Sequence, residues 1–426
     1  PAREDLNKLD VFRDRSHPQR KAIEDCPPGH VMVMDSRKDP RAASAGGILI
    51  TRLMKRGAAG VVTDGGFRDT NGVFKTGGGY ILISTFNDRE FARLATACGA
   101  ALALPGHGRA ATRDEIIEAA QKESGLVWYD HYDRDAAEAI LAAFKKTYPF
   151  VKKPEFVDTP SAQKTAKITQ ESTAGGPTAD VLLNDAVVQQ QLWERGFLLE
   201  ADWGALGVPV SPTTTPTKYM LMALTPPYVV LSNNDQVKQT DIPRTWDDAV
   251  SEKWRGKTGH WMRASFFVGL LPALGEDKAR DLVTKLAALK PRLFDGQFPL
   301  AQAIGSGEIA QGIVAYDSAI RIVEKGAPVT MTSIEPSTLS TICGSVLKHG
   351  RNPNTARLFL AWLATPEGAI KFESETKRGN YFVEGTATRK LLAGQKVSYH
   401  QPADAIAQSK KLNGLEVEFS RRLAGR

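Results

Sequence analysis

Two hydrophobic rhythms run along the chain. Near the start, Val31-Met-Val-Met-Asp35 is a compact apolar strand, Gly46 to Arg56 has helical spacing through Ile48, Leu49, Leu53 and Met54, and Gly60-Val-Val-Thr63 is a second strand. The pattern predicts one βαβ unit, followed by a break at Gly77-Gly78-Gly79. From about Thr112 the alternation resumes and runs much longer. Leu126-Val-Trp-Tyr129 is a strand, and Asp135 to Tyr148 an amphipathic helix with Ala139, Ile140, Ala143 and Phe144 on one side. Phe156-Val157 returns as a strand, Ser161 to Glu171 as a helix and Ala179-Asp-Val-Leu-Leu183 as a strand. Strands alternating with helices predict an α/β fold, a mainly parallel sheet covered on both faces.

The length of 426 residues suggests about three compact units at roughly 150 residues each. Apolar residues make up 42% and charged residues 24%, which excludes wholesale disorder and a collagen-like or coiled-coil chain. The net charge of +7 comes from basic residues interleaved with acids, with no stripe or motif for nucleic acid. Cys26, Cys98 and Cys343 lie far apart, so neither a disulfide framework nor a zinc site is indicated.

No run reaches the roughly 20 apolar residues of a spanning helix. The nearest is Leu94-Ala-Thr-Ala-Cys-Gly-Ala-Ala-Leu-Ala-Leu104, with Arg89 and Arg93 before it and Pro105-Gly-His-Gly-Arg-Ala-Ala111 after it. Basic, then short and apolar, then small is the order of a secretory signal peptide; the bland alternative is an Ala-rich helix. Asp88-Arg89-Glu90-Phe91 carries one arginine where a twin-arginine signal has two. If translation begins near Thr85 and this run is used, the remainder of the chain is periplasmic; otherwise the chain stays cytoplasmic.

Asp64-Gly-Gly-Phe-Arg-Asp69 follows the second strand, so Arg68 and Asp69 belong to a strand-end loop where α/β folds place their chemistry. Gly46, Gly47, Ile48 and Leu49 bring glycines and free backbone amides to a helix start that can hold a carboxylate. With Asp35-Ser-Arg-Lys-Asp39 and Arg56-Gly-Ala-Ala-Gly-Val-Val-Thr-Asp64, these residues resemble the family of 4-hydroxy-4-methyl-2-oxoglutarate aldolases and regulators of ribonuclease activity A over about residues 5–72. The resemblance implies that Arg68 holds pyruvate, that Asp69 organises a magnesium site and that the amides of Gly46 to Leu49 take the carboxylate. The family's opening segment and later strands have no counterpart here, so a catalytically silent fragment is expected, with a magnesium-dependent pyruvate-releasing aldolase as the alternative.

A second set of marks begins at Gly125-Leu-Val-Trp-Tyr-Asp130. It continues through Ala142-Ala-Phe-Lys-Lys-Thr-Tyr-Pro149, Pro177-Thr-Ala-Asp-Val-Leu-Leu-Asn-Asp185, Pro227-Tyr-Val-Val230, Pro243-Arg-Thr-Trp-Asp-Asp248 and Lys253-Trp-Arg-Gly-Lys257. It closes with Asn352-Pro-Asn-Thr-Ala-Arg-Leu-Phe-Leu-Ala-Trp-Leu-Ala-Thr-Pro-Glu-Gly368. In this order the marks resemble the extracellular solute-binding proteins of ABC importers, in the class of ferric-iron, polyamine and phosphonate binders. The resemblance implies a two-lobed type II periplasmic-binding fold over residues 115–426, after a partial aldolase-like segment (1–79) and a linker (80–114). The first lobe is expected at about 115–226 plus part of 335–426, the second at about 227–334. It further implies a monomer without cofactor that closes on a small ligand and delivers it to an inner-membrane permease.

Ligand residues are then expected in loops at strand ends. Tyr129, Asp130, His131 and Tyr132 mark the first such loop, Asn184 and Asp185 the next, Arg263 and Ser265 a strand feeding a helix, Gln297 another helix start, and Tyr316, Asp317 and Ser318 the end of Gly312-Ile-Val-Ala315. A ferric site needs clustered tyrosinates, with Tyr316 the candidate iron ligand here. Iron binders of the class carry adjacent tyrosines where this chain has Tyr316-Asp317, which favours the alternative. Arg263 with Ser265 suits an oxyanion, a phosphonate, phosphate ester or carboxylate, with ferric iron next.

Overall fold

The computed structural model describes residues 18–27, 30–34, 43–45, 52–53, 55–56, 58, 60–63, 66–67, 112–123 and 125–425. The chain divides into two units, Pro1–His107 and Gly108–Arg426.

In the first unit a helix, Pro18–Asp25, precedes strands β1 (Val31–Met34), β2 (Ala43–Ala45), β3 (Gly60–Thr63) and β4 (Gly66–Phe67). β1 and β3 pair in parallel, Val31 opposite Gly60 and Met34 opposite Thr63, which is the strand pairing of the expected βαβ unit. β2 and β4 form a second short parallel pair. Ile23, Cys26, Met32, Leu53 and Ala58 make a small buried cluster, and Arg52 and Arg56 both hold Glu24. Gly46, Gly47, Ile48, Leu49, Arg68 and Asp69 lie outside the described residues, as does the signal-like run.

The second unit opens with a helix, Arg113–Glu123, and then carries β5 (Gly125–Asp130), β6 (Lys153–Asp158), β7 (Val181–Asn184), β8 (Leu198–Leu199) and β9 (Leu221–Leu224). β10 (Tyr228–Asn233), β11 (Thr258–Trp261), β12 (Arg292–Phe294), β13 (Gln311–Ala315) and β14 (Val329–Thr332) come next, and β15 (Ser337–Thr338), β16 (Ile342–Leu347) and β17 (Val397–Ser398) complete the set. Two sheets result. One runs β6-β5-β7-β16-β8 with β9 also on β16, and the other β12-β11-β13-β10-β14. Each sheet has three parallel strands followed by an antiparallel one, β16 against β7 in the first and β10 against β13 in the second.

Burial explains the local choices. In β5, Leu126, Trp128 and Asp130 face inward on alternate positions, and Trp128 packs against Phe156, Phe359 and Phe372. The helix Arg134–Thr147 starts because the Asp133 carboxylate caps the amides of Asp135 and Ala136, and it buries Ile140, Leu141 and Phe144. Pro353–Leu363 begins with a proline, which suits a first helical position, and fills the core with Leu358, Phe359, Trp362 and Leu363. Trp246 and Trp254 are buried anchors, donating to the Pro336 and Asp248 carbonyls.

The chain passes from the first sheet to the second between β9 and β10 and returns between β14 and β16. The two crossings meet: Pro227 bridges Leu339, and the Ser340 amide donates to the Pro226 carbonyl at 3.0 Å. The closing helix, Ser409–Leu423, adds Leu412, Leu415, Phe419 and Leu423 to the core of the second sheet. Among the described residues no helix is long and apolar enough to cross a membrane.

Candidate functional site

The candidate site lies where the crossings, the strand ends of both sheets and the segment after the helix Pro366–Thr376 come together. Asp130 ends β5 with its side chain 6% exposed, and its Oδ1 accepts from Lys164 Nζ at 2.8 Å and from the His131 amide at 2.9 Å. Lys164, equally buried, also donates to the Leu183 carbonyl at 2.8 Å. Burying both charges is tolerable because each has a partner. Two residues on, the Tyr132 ring wedges against Trp128 and Phe372. Its hydroxyl lies among Asp130, Arg378 and Asp317, and burial, reinforced by the two carboxylates, keeps it protonated well above the usual phenol range.

Arg378 reaches over the Tyr132 ring, its Cζ 5.4 Å from the centroid, and its Nε donates to Asp317 Oδ2 at 2.9 Å. Asp317 lies in the first turn of Tyr316–Glu324, a helix of the second sheet, so this ion pair joins the two lobes. The Asp317 charge raises the Arg378 pKa against the opposing effect of burial. Tyr228, at the start of β10, is buried beside them; burial raises its pKa, while hydrogen bonding from Ser265 and Ser340 and the charge of Arg263 work the other way.

Arg263 is the most open cation of the group. Its Nε donates to Glu416 Oε1 at 2.7 Å, with 58% of its own side chain exposed against 20% for Glu416. Its guanidinium rests over Trp261, and among the described residues neither terminal nitrogen has a hydrogen-bond partner. Burial opposes its charge, but Glu416, Tyr228 and, from the first lobe, Asp185 raise its pKa overall. Ser265 Oγ lies 3.4 Å from the Tyr228 hydroxyl. The helix it begins, Ser265–Gly269, has only 5 residues, so its dipole adds little.

Of the residues expected from sequence, Asp130, Tyr132, Asp185, Arg263, Ser265 and Asp317 are thus brought into one neighbourhood. Asp185 Oδ1 caps the next helix through the Val188 amide, and Asn184 is engaged with Thr165 and the Asp185 amide. His131 sits on the rim, Nδ1 2.9 Å from Asp158 Oδ1. Gln297 Oε1 accepts from the Ala315 amide at 3.0 Å and so braces β13.

Two expected residues stand apart. Tyr129 turns to the other face of β5, where Lys167 lies 4.0 Å from its ring centroid. Tyr316 packs into a buried apolar cluster with Val229, Leu300, Ile304 and Ala319. There burial raises its pKa, the reverse of what a tyrosinate ligand needs. Among the described residues no group of three or more His, Cys, Asp or Glu side chains is placed to hold a metal ion.

The sequence reading missed Lys164, Tyr228 and Arg378 as site residues. Arg378 had one signal, the glycine after it: a Cβ at Gly379 would collide with Glu373 Oε1, so the loop that presents Arg378 requires glycine there. A surface depression of about 480 Å³ lies beside the helices Gln297–Gly305 and Tyr316–Glu324, among Pro299, Gln302 and Lys325, and includes none of the residues above.

Comparison with known proteins places this geometry. The family model of the bacterial extracellular solute-binding proteins matches residues 131–370, and that of the aldolase/RraA group matches residues 9–88. No curated protein matches the chain. Among solved structures, iron-bound HitA from Pseudomonas aeruginosa is 19% identical, covering 69% of this chain and 99% of its own, with a TM-score of 0.58. AfuA from Actinobacillus pleuropneumoniae, with fructose-6-phosphate bound, is 22% identical, covering 70% and 99%, with a TM-score of 0.56. The Trichodesmium protein IdiA (FutA), in complex with iron and citrate, is 19% identical, covering 70% and 99%, with a TM-score of 0.55. At these identities the likeness is one of fold, the two-lobed type II periplasmic-binding fold.

Proposed function

The chain belongs to the bacterial extracellular solute-binding proteins, and from that premise we propose that its cleft captures a small oxyanion, a phosphate ester, phosphonate or carboxylate, and hands it to an ABC permease. The observation that carries this reading is Arg263: Glu416 fixes its Nε at 2.7 Å while both terminal nitrogens stay available beside the Ser265 and Tyr228 hydroxyls. A guanidinium held by one edge offers its other edge as a two-pronged donor, the geometry suited to phosphate or carboxylate. Ferric iron is the second reading, because HitA and the Trichodesmium protein are described with iron; the burial of Tyr316 and the Asp317–Arg378 pair speak against it. AfuA, described with a sugar phosphate, is the neighbour whose ligand the Arg263 arrangement favours.

The working place is outside the cytoplasmic membrane, as the family is extracellular, and the binding unit acts as a monomer without nucleic acid or cofactor. The aldolase-like segment is proposed to be silent; magnesium-dependent release of pyruvate that disappears in Asp69→Ala would restore the lyase reading. For the ligand, calorimetry on the full chain compares wild type with Arg263→Ala. Loss of the bidentate partner should lower oxyanion affinity by roughly thirtyfold or more. Unchanged oxyanion affinity in Arg263→Ala contradicts the reading.

A further inference from the structure

We propose that Asp130 forms a second subsite that reads a hydroxyl group on the ligand, so that the solute is a hydroxylated oxyanion of the polyol-phosphate kind. The inference rests on the solute-binding reading and extends it from the charged end of the ligand to the other end. It starts from one atom. Asp130 Oδ1 is fully engaged by Lys164 and the His131 amide, but Oδ2 is buried and, among the described residues, has no hydrogen-bond partner. An ionised carboxylate oxygen out of water and without a donor costs free energy that folding alone does not require, so a donor supplied by the bound solute is a physical reason for it.

The location fits a ligand rather than an accident of core packing. Asp130 ends β5, and its charge reaches the Tyr132 hydroxyl together with those of Arg378 and Asp317. That group already joins the two lobes through the Asp317–Arg378 pair. A solute seated between the lobes therefore meets Asp130 from the first lobe and Arg263 from the second.

The kind of donor follows from charge balance. Around the Tyr132 hydroxyl, the carboxylates of Asp130 and Asp317 are matched by Lys164 and Arg378. An ammonium placed there would add an uncompensated positive charge to a balanced, buried set. A hydroxyl donates to Oδ2 without changing the balance, and the adjoining Tyr132 hydroxyl offers a neighbour for a second one.

The test compares three probes of one length on the full chain by calorimetry: glycerol 3-phosphate, n-propyl phosphate and 3-aminopropyl phosphate. The polyol phosphate should bind roughly 10- to 100-fold more tightly than the alkyl phosphate, the range for a hydrogen bond to a charged acceptor. In Asp130→Asn/Lys164→Gln, which removes both buried charges together, that preference should collapse; the wild-type comparison stands even if the double variant does not fold. Equal binding of the glycerol and propyl esters, as a site filled by a fixed water would give, overturns the proposal while leaving the oxyanion reading intact. Tighter binding of the amino ester also overturns it. If none of the three binds, the phosphate-ester form of the ligand fails, and titration of tryptophan emission with mannitol decides the subsite alone: saturable binding supports it, and no response overturns it.

Discussion

Asp317 Oδ2 accepts a 2.9 Å hydrogen bond from Arg378 Nε, and this pair ties the second lobe's helix Tyr316–Glu324 to the segment after the first lobe's helix Pro366–Thr376. It sits close to the crossings, since Gly379 accepts from the Thr225 amide and the Tyr381 amide donates to Thr225 Oγ1. An ion pair beside a hinge holds the lobes together only while it persists. Arg378→Met, which keeps the stem over Tyr132 but removes the charge, should raise the radius of gyration of the ligand-free chain in small-angle scattering. Because the Arg378 side chain keeps 36% exposure, the stability loss should be modest, about 1–2 kcal/mol. An unchanged radius would mean that the pair does not hold the cleft.

Glu416 acts on Arg263 through a hydrogen bond and through its charge, and the two effects oppose each other for an anionic ligand. The hydrogen bond fixes the guanidinium, while the carboxylate repels the solute. Glu416→Gln keeps an acceptor and loses the charge, so it should bind the oxyanion at least as tightly as wild type. Glu416→Ala loses both and should bind about 3- to 10-fold more weakly than the glutamine variant. Equal affinities for the two variants, measured by calorimetry, would show that Arg263 needs no such brace.

Much of this architecture is legible in the sequence because it follows from local burial. Leu126, Trp128 and Asp130 alternate inward along β5 as the period of two requires, and Leu358, Phe359, Trp362 and Leu363 form the apolar stripe of their helix. The site is only partly legible. Asp185, Arg263, Ser265 and Asp317 lie in strand-end loops, and that rule alone brings them near the cleft. It also selects Tyr129 and Tyr316, whose rings turn to other faces, because a loop position does not fix a side chain's direction. Arg378 is 61 residues from Asp317 in a connecting segment without periodicity, and Lys164 looks like any surface lysine until the fold buries it against Asp130.

His260, on β11, gives the protein a defined acid sensitivity. Its ring is buried against Phe267, Nδ1 lies 2.6 Å from the Trp261 carbonyl, and among the described residues Nε2 has no partner. Burial lowers its pKa to about 4 from the usual 6.5, so the folded state resists a proton that the unfolded chain accepts. Above pH 6.5 both states are neutral and nothing is lost. Between 6.5 and about 4 the unfolded state gains the proton first, and stability should fall by roughly 2–4 kcal/mol. Denaturant midpoints measured across that window should fall less in His260→Gln than in wild type; parallel curves would contradict the assignment.

Phe419 is fully buried in the closing helix and joins the core of the second lobe, with Arg280 over its ring. Phe419→Ala should cost about 3–5 kcal/mol, the range for an aromatic removed from a close-packed core. A change below about 1 kcal/mol in urea unfolding would mean that this helix is only loosely attached.

Capture of a small oxyanion between the two lobes through Arg263 is decided by calorimetry of the full chain. The panel holds phosphonates, phosphate esters and carboxylates, with a ferric titration followed by visible absorbance beside it. Wild type should bind one oxyanion per chain, with affinity that falls sharply in Arg263→Ala, and should form no coloured ferric complex. A coloured ferric complex that survives Arg263→Ala and disappears in Tyr316→Phe would contradict oxyanion capture.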